Sequence, residues 1–137
     1  MEYEGEYLFD KKWNGKGYNI NGGIIYELHN GNGLVKEYDS DYSFEGEYFQ
    51  GRKNGNCVEI KWDKLRNCHI FVGEYVKGKR NGKAREFRNN YDNPVFDGEY
   101  FNGEKWKGKE YTYYPDGRLG YEYEYICGQS RIKTRYN

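Results

Sequence analysis

The chain has 137 residues, 22 basic and 22 acidic side chains, and a mean hydropathy of -1.22. Zero formal net charge leaves no field to hold nucleic acid as a bulk partner, and the length leaves no room for a second domain. So polar a composition would by itself suggest disorder, but 20% of the residues are aromatic, 17 of them Tyr, and disordered chains are poor in aromatics.

The opening residues Met1 to Glu4 lack the basic and apolar regions of a signal peptide, and no apolar run is long enough to span a membrane as a helix. The first strand signal is Tyr3-Glu4-Gly5-Glu6-Tyr7, and it returns as Phe44-Glu45-Gly46-Glu47-Tyr48, Phe71-Val72-Gly73-Glu74-Tyr75 and Phe96-Asp97-Gly98-Glu99-Tyr100. Alternate residues of a strand face opposite ways, so the aromatics and the central Gly share one side and the acids take the other. Looser copies begin at Ile24 and Tyr121, where Tyr26 and Tyr123 stand in the place of the central Gly. Six glutamates (Glu6, Glu27, Glu47, Glu74, Glu99 and Glu124) therefore recur in register, at intervals of about 20–27 residues.

After each first strand a Gly-rich turn is expected, as over 77–82, and then a second strand at 35–38, 58–62, 84–87 or 109–114. Seven Asn-Gly pairs suit turns that need positive φ. Further turns fall at 18–23, 39–43, 63–67, 89–94 and 115–119, the last carrying Pro115-Asp116-Gly117. The units run 3–23, 24–43, 44–69, 70–95, 96–120 and a short 121–137; Tyr123 there would plug the end of the array, but the internal Tyr26 speaks against that, since bulk at the same position is tolerated within it. The expected fold is all-β: an elongated, twisted antiparallel sheet of successive hairpins with almost no helix. In such an array each unit buries its apolar face against its neighbours.

Catalytic and metal chemistry find no support. Residues 103–109 match the spacing of a phosphate-binding loop, but Glu110 follows where a hydroxyl is needed and no helix comes after. Cys57, Cys68 and a turn His69 lack a fourth ligand, and His29 has no matched partner. The in-register glutamates read as a solvated row offset by bases such as Lys36 and Arg85. Three cysteines are too few and too odd for a secreted disulfide scaffold, so a reducing, cytoplasmic compartment is expected.

Phe71-Val72-Gly73-Glu74-Tyr75 followed by Gly78-Lys79-Arg80-Asn81-Gly82 resembles the MORN repeat family. The ending Tyr113-Tyr114-Pro115-Asp116-Gly117-Arg118-Leu119 resembles its looser variant repeats, and the resemblance covers nearly the whole chain. It implies an elongated sheet of hairpins and a scaffold role: self-association, protein contacts, or attachment to phosphoinositide membranes. An antitoxin-like protein that masks a partner enzyme is a further role implied by the variant repeats.

The expected function is thus a non-enzymatic protein-interaction module without cofactors. Its partner would be another protein or a second copy, held in a groove lined by Tyr7, Tyr48, Tyr75, Tyr100 and Tyr125 and at the open sheet edges. The alternative is an anionic membrane surface met by Lys77, Lys79, Arg80, Lys83, Arg85, Lys105 and Lys107.

Overall fold

The computed structural model describes residues 2–136. Its strands follow in hairpin pairs: β1 (Glu2–Leu8) with β2 (Lys11–Tyr18), β3 (Ile24–Leu28) with β4 (Gly33–Tyr38), and β5 (Tyr42–Phe49) with β6 (Arg52–Trp62). Then come β7 (Cys68–Val76) with β8 (Lys79–Arg88), β9 (Pro94–Phe101) with β10 (Glu104–Tyr113), and β11 (Leu119–Ile126) with β12 (Gln129–Arg135). All pairing is antiparallel between strands consecutive in the chain, no helix occurs among the described residues, and the sheets do not close into a barrel. The result is an elongated, twisted, all-β body.

The hairpin turns are tighter than the sequence suggested. Each is two residues, both at positive φ: Phe9-Asp10, Asn30-Gly31, Gln50-Gly51, Lys77-Gly78, Asn102-Gly103 and Cys127-Gly128. Two-residue turns of this hand match the twist of the flanking strands. The expected turn over 77–82 is therefore corrected. Only Lys77 and Gly78 turn, and residues 79–82 already belong to β8, where a bulge between Gly73 and Tyr75 in the β7 register absorbs the extra length.

Most Asn-Gly pairs consequently have another task. The side-chain oxygens of Asn14, Asn32, Asn54 and Asn81 accept the backbone N–H of Asn30, Gln50, Lys77 and Asn102, respectively, at 2.8–3.0 Å. Each tethers the first turn residue of the next hairpin. The turn glycine adds a backbone bond in the same direction, as from Gly78 N–H to Lys53 O and from Gly103 N–H to Arg80 O, both 2.8 Å.

The ladder is broken once. β1–β3 form a three-stranded sheet and β4–β12 a nine-stranded one, with only the bridge His29–Asn32 between β3 and β4. The break falls where Tyr26 replaces the central glycine. In the three hairpins from β5 to β10 the strands meet through small residues: Gly46 opposite Cys57, Gly73 opposite Ala84, Gly98 opposite Gly108. A Cβ on Gly98 would come 2.7 Å from the Gly108 Cα. Tyr26 is instead buried in the core, with its ring over Gly17. Tyr123, in the last hairpin, keeps its ladder by pairing with Ile132 across a shifted register.

Candidate functional site: a filled aromatic face and an open acidic trough

One face of the long sheet is filled. Directly opposed residues make an alternating row, Glu37–Phe44–Glu59–Phe71–Glu86–Phe96–Glu110, crossing strands β4 to β10. Phe44, Phe71 and Phe96 are at most 1% exposed. The first-strand tyrosines interleave with them in a continuous edge-to-face chain, Tyr48–Phe44–Tyr75–Phe71–Tyr100–Phe96–Tyr125, with centroids 5.6–6.5 Å apart.

A cation closes each phenylalanine from above. Lys53 lies 4.4 Å from the Phe44 centroid, Arg80 3.8 Å from Phe71 and Lys105 4.9 Å from Phe96. The opposed glutamates neutralise these cations. Glu59, 3% exposed, accepts from the hydroxyls of Tyr42 and Tyr75, from Lys53 Nζ at 3.0 Å and from Arg80 Nη2 at 3.4 Å. Burial alone would raise its pKa; the two tyrosine bonds and the Lys53 charge outweigh that and hold it at about 2. Glu86 accepts from Tyr100 at 2.7 Å and meets His69 Nε2, also at 2.7 Å; its carboxyl too is held below the usual range despite burial. Lys105 pairs with Glu110. Burial pushes the hydroxyls of Tyr75 and Tyr100 upward, with Glu59 and Glu86 adding to it.

This geometry corrects several expectations. Tyr75 and Tyr100 are 9% and 7% exposed, so they offer no ring face to a partner; Tyr48 and Tyr125 are half-buried, and Tyr7 alone of the five is exposed. Arg80 and Lys105 point into the aromatic face and are struts, not surface charges. Lys77, Lys79, Lys83, Arg85 and Lys107 are exposed, but they do not form one strip. Lys83 and Lys107 stand opposite Glu99, and Arg85 stands opposite Asp97 at 3.4 Å. His69 is a strand residue of β7, not a turn histidine. Lys36 and Arg85 pair with Glu45 and Asp97, not with the in-register glutamates.

The open concavity lies on the other face. It is a trough of about 950 Å³ whose floor is Val58 and Val72, directly opposed, with Gly46, Cys57, Gly73, Ala84 and Gly98 beside them. Five acids (Glu45, Glu47, Glu74, Asp97, Glu99) and three bases (Lys36, Lys83, Arg85) rim it, an excess of two negative charges. Three of the six in-register glutamates, Glu47, Glu74 and Glu99, thus line a concavity rather than a plain wet surface. Burial, with Glu59 nearby, pushes the Cys57 thiol up to about 12, so it is inert.

A second concavity of about 560 Å³ lies along the hairpin tips. There Leu8, Phe49 and Val76 are exposed opposite Lys11, Arg52 and Lys79, with Phe9 and Trp13 alongside. Among the described residues no group of three or more His, Cys, Asp or Glu is arranged to hold a metal ion, and no helix is long and apolar enough to cross a membrane. All three cysteines are free.

No family model and no curated protein matches the chain.

Proposed function

We propose that the chain is a non-enzymatic protein-interaction module built of MORN-like hairpins, with the acidic trough as its working surface. One observation carries this reading: a single-layer sheet packs Phe44, Phe71, Phe96 and the buried carboxylates Glu59 and Glu86 on one face and leaves the middle of the other as an open trough with an apolar floor and an acidic rim. Such a surface suits an extended or helical segment of a partner protein that alternates apolar and basic side chains. The valine floor takes the apolar groups, and the rim orients the charges.

Fluorescence anisotropy with two labelled peptides tests it, one alternating Lys and Val and the other Glu and Val. The basic peptide binds, the acidic one does not, and Glu74→Lys with Glu99→Lys abolishes binding. Equal binding of both peptides, or of neither, removes the trough from consideration.

The hairpin tips favour a second reading, attachment to an anionic membrane. Exposed Leu8, Phe9, Phe49 and Val76 interleaved with Lys11, Arg52, Lys77 and Lys79 would insert apolar groups while the bases meet phosphate, at about 1 kcal/mol per base. Flotation with vesicles rich in phosphatidylserine checks it. Loss of binding in Phe49→Glu supports it, and absence of binding at low salt rejects it.

A further inference from the structure

β1 lies at one end of the three-stranded sheet and β12 at one end of the nine-stranded sheet, so each has an outer edge with no strand partner among the described residues. Both are seven residues long, and the two edges carry opposite charge. On β1, Glu2, Glu4 and Glu6 are exposed at alternate positions, which places them on one face. On β12, Arg131 stands opposite Glu124, 3.5 Å away, with 70% of its side chain exposed, and Lys133 reaches toward Glu122 on the same face.

These charges belong to a longer pattern. Directly opposed residues on the trough face alternate in sign toward the C-terminal end: Arg85, Asp97, Lys109, Glu124, Arg131. At the other end the row is Glu4, Lys16, Glu27. The first series stops on a base and the second starts on an acid.

We infer that copies of this chain associate head to tail, the outer edge of β12 pairing antiparallel with the outer edge of β1 of the next copy. The junction restores the alternation, setting Arg131 beside an acid of β1, and supplies backbone partners to both open edges. Pairing of like edges is disfavoured, because β1 against β1 opposes glutamates and β12 against β12 opposes bases. The contact is heterologous and does not close on itself, so it builds an open string rather than a symmetric dimer.

Sedimentation velocity on the full chain tests this. At low salt the mean sedimentation coefficient rises with concentration, and the association constant falls about tenfold or more between roughly 0.05 and 0.5 M salt. Two variants follow: Glu2→Lys/Glu4→Lys/Glu6→Lys, and Arg131→Glu/Lys133→Glu. Each alone remains monomeric, and an equimolar mixture associates, because each supplies the edge the other needs. The triple variant added to the wild-type chain also shortens its assemblies, since it can join by β12 but cannot be extended at β1; this measurement stands even if the double variant does not fold. A wild-type chain monomeric at all concentrations overturns the inference. So does association that survives in either variant alone, folded variants that fail to associate on mixing, or a triple variant that leaves wild-type assemblies at full length. None of these readouts depends on a ligand in the trough.

Discussion

The guanidinium carbon of Arg80 sits 3.8 Å from the centroid of the Phe71 ring, while its nitrogens reach Glu59 at 3.4 Å and Glu86 at 3.7 Å. One side chain thereby caps an aromatic core residue and neutralises two buried carboxylates from neighbouring hairpins. Arg80→Ala takes one cation from both acids, leaving Glu59 to Lys53 and two tyrosines and Glu86 to Tyr100 and His69, and uncovers Phe71, at a cost of about 1.5–3 kcal/mol. Lys79→Ala, one residue away and exposed, changes stability by less than about 0.5 kcal/mol. Chemical denaturation of the two variants side by side measures the difference, and similar midpoints would refute the inward placement of Arg80.

Glu59 makes the fold sensitive to acid. Its carboxyl is held at about 2 when folded, against an ordinary value of 4.5. The stabilisation is therefore fully present above about pH 4.5 and is lost as the pH falls toward 2. Glu86, shifted in the same direction, adds to the loss. In Glu59→Gln the melting temperature is lower at neutral pH and declines less between pH 5 and pH 2. Parallel pH profiles for the variant and the wild type would show that this carboxylate is not the titrating group.

Tyr75 and Glu74 are adjacent but face opposite ways. Tyr75 is buried, touching Phe44 and Phe71 and donating to Glu59, whereas Glu74 is exposed at the trough wall. Tyr75→Ala should cost about 3–5 kcal/mol and Glu74→Ala within about 0.5 kcal/mol. Tyr75→Phe isolates the hydroxyl, and its loss of about 1–2 kcal/mol reflects one missing bond to a buried charge. Equal melting losses for the two alanine variants would contradict the face assignment.

Two glycines separate crowding from backbone freedom. Gly98 has an ordinary φ, but an added Cβ would come 2.7 Å from the Gly108 Cα and 2.9 Å from the Phe96 ring. Gly103 has open space around it but a φ of 92°. Gly98→Ala costs about 1–3 kcal/mol through forced separation of β9 and β10. Gly103→Ala costs about 1 kcal/mol through backbone strain, and Gly103→Asn recovers part of it because Asn tolerates positive φ. Hydrogen exchange discriminates the two mechanisms: the ladder amides of β9 and β10 lose protection in the first variant and keep it in the second.

The hairpin phase was legible in the sequence because Phe44, Phe71 and Phe96 recur with a glycine two residues on and a tyrosine two further. The glutamates of the filled face were not. Buried Glu59 and Glu86 and half-buried Glu37 and Glu110 recur at similar intervals, but a carboxylate reads as wet until register places it opposite a phenylalanine and under a lysine or arginine. The same ignorance of register made Arg80 and Lys105 look like surface charges. Asn54 and Asn81 were misread because an Asn-Gly pair announces a turn, whereas here the Gln50-Gly51 and Lys77-Gly78 steps had already made it. The trough was hidden for a different reason: it is a property of sheet twist, and the residues that wall it are the alternate positions set aside as solvated.

The missing ladder between β3 and β4 has a mechanical meaning. Load carried along the body passes from strand to strand through rows of backbone bonds, and at His29–Asn32 that row shrinks to a single bridge plus the turn contacts of Gly31 with Trp13 and Gly51. A pull on the two ends finds its weakest rung there. The molecule then parts into a short ribbon and a long one, each still knit within itself, before either begins to unravel.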